Sequence, residues 1–272
     1  MTGTRSSAPS AHGGLRPALA ATRAHSGLVA SLFALAGLAW WWTAASARGM
    51  DDGPWTSLGA LGWFLGLWVV MMAAMMFPSV APTVALFARM SGGSRLRPLA
   101  FTGGYLVTWL GAGLAAFVIG ATATRLAGGA LSWERAGRPV AGAVLLLAAG
   151  YELTPLKNVC LGRCRSPLGA LLGSWRDGWL GAVRMGAKNG AWCVGCCWGL
   201  MASLFALGVM SVLWMAVVAA LIALEKVLPW RRTATYGAAA VLLVLGGLVL
   251  VAPRALPGLT VPANGSMSVM PR

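Results

Sequence analysis

Five cysteines carry the most distinctive chemistry in this sequence, and they fall in two groups. Cys160 and Cys164 form C-x-x-x-C, and Cys193, Cys196 and Cys197 form C-x-x-C-C. On a helix, spacings of three and four residues put Cys193, Cys196 and Cys197 on one face. Thiolates that converge in this way suit a soft or borderline metal, Cu(I) first and Zn(II) second. An isolated cysteine reads better as a small buried hydrophobe; the clustering here favours ligation. A second soft set lies in Met71-Met72-Ala73-Ala74-Met75-Met76. Met71/Met75 and Met72/Met76 are i,i+4 pairs on adjacent faces. Thioethers are neutral soft ligands that Cu(I) accepts and Zn(II) does not favour. They can ligate inside lipid without the cost of a buried carboxylate. Methionine also fills bundle gaps, so ligand and filler both stand as readings. Pro78 follows directly and lacks an N–H, so the helix is expected to kink or end beside the methionines, with Pro82 repeating the break.

Two acids, Glu152 before Thr154-Pro155 and Glu225 before Lys226, are further candidates for a role, because carboxylates at membrane depth are costly. Glu225 and Lys226 could equally snorkel to an interface as neighbours. Arg163 and Arg165 flank Cys164 with positive charge. The two histidines, His12 and His25, both lie near the N-terminus, which argues against haem and a Zn–His site. There is no phosphate loop, no Ser/His/Asp set and no paired catalytic carboxylates, so no catalytic residue is assigned.

The elements that must position these groups are apolar helices. Of the 272 residues, 58% are hydrophobic and 10% charged, against about 25% charged in soluble domains. Mean hydropathy is +0.74. These values exclude a disordered chain, a coiled coil and an ordinary soluble enzyme. They predict an all-α, polytopic transmembrane helix bundle, in which one span takes roughly 20 apolar residues. About seven apolar runs can be read: Gly27–Ala45, Leu58–Phe77, Leu99–Gly120, Pro139–Leu153, Gly190–Gly208, Ser211–Leu228 and Thr233–Val251. The fourth is short, and Val209–Met210 joins the fifth and sixth as a hairpin. Ala45-Ser46-Ala47 has the look of a signal-peptide cleavage site, but the leader is long and tryptophans crowd its end, so an uncleaved first span is expected. The domain reading is a single transmembrane domain over 26–253, between tails 1–25 and 254–272 whose small and polar residues suggest disorder.

A net charge of +15 would point to nucleic acid in a soluble protein. Here the basic residues are scattered between apolar runs, which marks cytoplasmic loops and a lipid bilayer as partner. Fifteen of the 21 Lys and Arg fall in segments placed inside when the N-terminus is cytoplasmic, and six in those outside. The expected location is therefore a cell membrane, inner or plasma, with the N-terminus in the cytoplasm and the C-terminus outside. Both cysteine groups then face a reducing compartment, which disfavours stable disulfides. Met75, Met76, Cys160, Cys193 and Glu225 should all lie in the cytoplasmic half. Between the fourth and fifth runs, Leu168, Leu171, Leu172, Trp175, Trp179 and Val183 follow helical spacing. They predict an amphipathic helix that lies in the interface or packs on the bundle. Gly62/Gly66, Gly186/Gly190 and Gly195/Gly199 are i,i+4 pairs of the kind that let helix backbones approach.

Met71–Ser79 (MMAAMMFPS), Tyr151–Pro167 (YELTPLKNVCLGRCRSP) and Trp192–Pro229 (WCVGCCWGLM…EKVLP) resemble the predicted metal-binding integral membrane protein family, a prokaryotic group of largely uncharacterised function. The resemblance runs from about Trp55 to Trp230 and is most specific in the cysteine motifs. It implies a multi-span protein with a metal site, and carries over onto Met71, Met72, Met75, Met76, Lys157, Cys160, Cys164, Cys193, Cys196, Cys197, Met201, Glu225 and Lys226. Glu152 often corresponds to glutamine in that family. Together these features predict binding of a soft metal, Cu(I) before Zn(II), in transport, delivery or homeostasis, with a metallochaperone or membrane subunit as partner. A membrane thiol–disulfide oxidoreductase using Cys193 and Cys196, and a non-catalytic scaffold subunit, are the alternatives.

Overall fold

A computed structural model describes residues 15–47, 60–92, 94, 96–127, 136–208, 211–228 and 230–252. Among them are ten helices and no strand: α1 (Leu15–Ala24), α2 (Ser26–Ala47), α3 (Leu61–Met90), α4 (Leu96–Ala127), α5 (Arg138–Glu152), α6 (Pro155–Arg165), α7 (Pro167–Leu172), α8 (Gly178–Leu207), α9 (Val212–Val227) and α10 (Arg231–Val251). The fold is all-α, as the composition requires. Each of the seven apolar runs corresponds to a helix. Five helices, α2, α3, α4, α8 and α10, are long and apolar enough to cross a membrane. α5 and α6 would make a sixth span only as one bent element, at 67° to each other. α9 has 16 residues. At 1.5 Å per residue it falls short of a hydrocarbon core of about 30 Å. Among the described residues the candidate spans thus number five, or six with the bent pair, against the about seven runs read from the sequence. The Val209–Met210 connection lies outside the described residues, as do residues 1–14 and 253–272 of the two tails. Residues 15–24, within the first of those tails, are helical.

Of the kink or end expected beside the methionines, the end does not occur, and the stretch over 166–183 departs from a single helix. α3 neither ends at Pro78 nor at Pro82; it continues through both to Met90. The segment around and after Pro78 is well buried, with Val80, Ala81, Val84, Ala85 and Phe87 at 5% exposure or less. Ser79 donates its hydroxyl to the Met76 carbonyl at 2.9 Å in the same turn. Proline is tolerated inside apolar helices where neighbouring packing supports the backbone. The amphipathic helix expected over 166–183 is not one helix. α7 stops at Leu172, and α8 starts at Gly178, whose φ of +81° favours glycine. Trp175, part of the predicted stripe, instead lies with its ring 5.7 Å from that of Phe87.

The α5–α6 break is written in Glu152-Leu153-Thr154-Pro155. Proline disfavours helical geometry in the residue before it and has no N–H to give. Thr154 then serves as a local cap. Its hydroxyl donates to the Tyr151 carbonyl at 2.7 Å and accepts the Lys157 N–H at 3.3 Å.

The chain divides into two compact units, each assembled from distant segments: 1–41, 66–113 and 158–196, and 42–65, 114–157 and 197–272. In the first, glycines on α8 allow backbone contact with α4. A Cβ on Gly186 would strike the Phe101 carbonyl, and one on Gly104 would strike that of Val183. Thr108 donates across the same crossing to the Ala187 carbonyl at 3.0 Å. Trp68 of α3 donates to the Trp109 carbonyl of α4 at 2.9 Å. In the second unit α5 packs along α10. Gly142 meets Leu250 and Gly246 meets Leu146, so the two helices run antiparallel. Gly199 sits against Tyr151 and Ala148 there. Gly62 and Gly66 have no such neighbour within 4 Å of the position a Cβ would take.

Candidate metal centre

The first unit gathers sulfur from three helices. α8 contributes Cys193 and Cys196, which begin a run continued along the same helix by Cys197. The three Sγ atoms lie within 4.8 Å of one another, and all three side chains are buried. Helical spacing alone produces this, as the sequence predicted. What α8 cannot produce is the rest of the cluster. Met76 of α3 brings its Sδ to 3.9 Å from Cys193 Sγ. Cys164 of α6 brings its Sγ to 3.6 Å from Cys196 Sγ. Cys160, one turn earlier on α6, lies against Gly195, where a Cβ would come within 2.9 Å of the Cys160 Sγ. A side chain at position 195 would therefore displace the Cys160 sulfur.

Met71, Met72 and Met75 are buried on α3 with Met76. Met72 shares the face of Met76 one turn earlier. Cys164 is half-buried, whereas Cys160, Cys193, Cys196 and Cys197 are buried, and all five cysteines are thiols rather than disulfides. The donors are thus thiols and at least one thioether, in a site largely shut from water. This is the donor set that a soft ion accepts.

One participant escaped the sequence reading. Tyr105 of α4 is fully buried and places its Oη 3.1 Å from Cys193 Sγ, as hydrogen-bond partner to the thiol. A tyrosine inside an apolar run carries no signal distinguishing this role from packing. Arg163 takes a position the charge pattern did not specify, with its guanidinium carbon 5.6 Å from the Trp192 ring centroid, pinning α6 to α8.

The two acids belong elsewhere. Glu152 and Glu225, at the ends of α5 and α9, both pair with Lys157 of α6, within the second unit. The Lys157 Nζ to Glu225 Oε2 distance is 2.8 Å, and all three side chains are at 2% exposure or less. Glu225 therefore turns inward to Lys157 and does not snorkel with Lys226.

Residues 65–249 match the family model of PpoB2, described as a copper chaperone, and the match covers more than half of the chain. The chain belongs to the PpoB2 copper chaperone family. No curated protein and no solved structure matches it. For a copper chaperone the cargo is the metal, and all the sulfur positions described above lie within the matched segment. The family and the sulfur cluster agree in pointing to copper handling.

Proposed function

We propose that this protein is an integral membrane copper chaperone that binds Cu(I) through cysteine and methionine sulfur and passes it on. The observation that carries the reading is that Met76 meets Cys193 at 3.9 Å and Cys164 meets Cys196 at 3.6 Å, while the Cys193 and Cys196 sulfurs lie within 4.8 Å of each other. Cysteines that merely packed would have no reason to meet a thioether and one another at one place. Met76 favours Cu(I) over Zn(II), because zinc has little use for a thioether. Cys160, Cys197, Met71, Met72 and Met75 complete the proposed ligand set as nearby donors. The ligands are neutral or singly deprotonated, so ion transfer to a partner's thiolates needs only exchange between soft donors. The receiving partner is a metallochaperone or a membrane subunit.

Insertion in a bilayer is supported by the apolar surface. Trp41, Trp63, Ile119, Leu126, Leu147 and Val244 are each more than half exposed. A water-soluble chain rarely leaves so much apolar surface uncovered. In this reading the bent α5–α6 pair and the short α9 each cross as well, residues 26–253 form the membrane domain, and the N-terminus is cytoplasmic and the C-terminus outside. Reporter fusions near Arg165 and near Arg135 are expected to report opposite sides, with Arg165 inside. An Arg165 fusion reporting outside would overturn the orientation.

Metal analysis tests the function. Full-length protein purified under reducing conditions should retain copper, and a variant with all five cysteines replaced by serine should retain none above background. Equal copper in the two proteins would overturn the assignment. A folded variant is checked by its helical circular dichroism.

A further inference from the structure

We infer that Cys164 and Cys196 act as a dithiol that reduces Cu(II) to Cu(I) as copper enters the cluster, an inference that rests on the reading of that cluster as a copper site. The two Sγ atoms are 3.6 Å apart on different helices. To form an S–S bond of about 2.05 Å the two sulfurs must approach by about 1.5 Å. The helices are held for it. Gly195 leaves room for the Cys160 sulfur where α6 meets α8, and the Arg163 guanidinium lies over the Trp192 ring, one residue from Cys164 and four from Cys196.

The two thiols differ in a way that suits the reaction. Cys164 is half-buried and is the cysteine that incoming copper can reach, whereas Cys196 is at 1% exposure. Cys193 is engaged instead by Tyr105 and Met76. Oxidation of the Cys164–Cys196 pair thus leaves Cys193 and Met76 reduced, as soft donors for the product ion. The cluster offers sulfur and no imidazole, a donor set that stabilises the lower oxidation state of copper.

The step balances. Each of two Cu(II) ions takes one electron. The two thiols lose two electrons and two protons, and one S–S bond forms between Cys164 and Cys196. The protons leave to solvent. A low-molecular-weight thiol then resets the pair by thiol–disulfide exchange, two such thiols becoming one small disulfide while the protein regains two S–H groups.

The test uses reduced, full-length protein in detergent, titrated anaerobically with copper(II) sulfate. The Cu(II) paramagnetic signal should vanish for the first two equivalents, and peptide mapping should find Cys164 linked to Cys196. In Cys164→Ser the link should be absent, and the initial rate of signal loss should fall about tenfold or more, because a thiol without its positioned partner loses the intramolecular advantage. Cys196→Ser should behave in the same way, so a folding defect in one variant cannot mimic the result. A persistent Cu(II) signal, or a link between Cys193 and Cys196 instead, would overturn the inference. Reduction with the Cys164–Cys196 link, but with no Cu(I) retained afterwards, would support the dithiol chemistry and overturn the copper-holding role of the cluster.

Discussion

Lys157→Met is expected to destabilise the protein by about 3–5 kcal/mol, the usual cost of breaking a buried ion pair from one side. Lys157 and Glu152 are at 0% side-chain exposure and Glu225 at 2%. The lysine joins the end of α5, the start of α6 and the end of α9. Without it two carboxyl groups share a buried space with no ammonium between them. Methionine is close to the lysine stem in length, so lost packing contributes little. The Thr154 cap uses the backbone N–H of residue 157 and survives the substitution. Thermal unfolding of the detergent-solubilised protein reads the loss. The triple replacement Glu152→Met, Lys157→Met, Glu225→Met is expected to recover most of it, because apolar residues of similar volume often replace a buried ion cluster without net cost. If Lys157→Met unfolds at the wild-type temperature, the cluster does not hold these three helix ends.

The second large effect is on metal affinity. Met76→Leu is expected to weaken Cu(I) binding on the order of tenfold, about 1.4 kcal/mol. Met75→Leu, which removes one of the nearby donors rather than the thioether beside Cys193, should weaken it less. Met76 Sδ is 3.9 Å from Cys193 Sγ, and Met76 is fully buried. Leucine has similar volume, so the packing loss should remain below about 1.5 kcal/mol in either variant. Competition against a chromogenic Cu(I) chelator measures affinity, and thermal unfolding measures packing, so the two contributions separate. Equal affinity in Met76→Leu and wild type would make all four methionines of α3 filler and reduce the site to cysteines.

Much of this architecture is legible in the chain. Every apolar run became a helix, because hydrophobic length and composition are properties of the segment itself. The Cys193–Cys196–Cys197 face follows from helical periodicity alone. The pairs Gly186/Gly190 and Gly195/Gly199 marked two closely packed faces of α8 for the same reason, the first against α4. Gly62 and Gly66 have the same spacing and no close neighbour, since spacing describes one helix and not its partner. Pro78 misled for a related reason. Its local preference is to break a helix, yet α3 runs on to Met90 with the following residues buried. The stripe over 166–183 obeyed helical periodicity, yet Gly178 provided a left-handed turn, and packing of Trp175 on Phe87 decided the segment.

The sequence by itself determined that the protein is helical, apolar and rich in soft donors, because these depend on residue type and on the 3.6-residue period. Tertiary structure alone decided which donors meet. Met76, Cys164 and Cys193 are separated by 88 and 29 residues along the chain, and no local rule relates such positions. Their meeting depends on α6 and α8 closing at Gly195 and on α4 and α8 touching at Gly104 and Gly186. The same packing gave Lys157 to Glu225, 68 residues away, in place of its sequence neighbour Lys226. Burial explains that choice: a carboxylate shut from water needs a cation that is buried with it, and adjacency in the chain does not supply one.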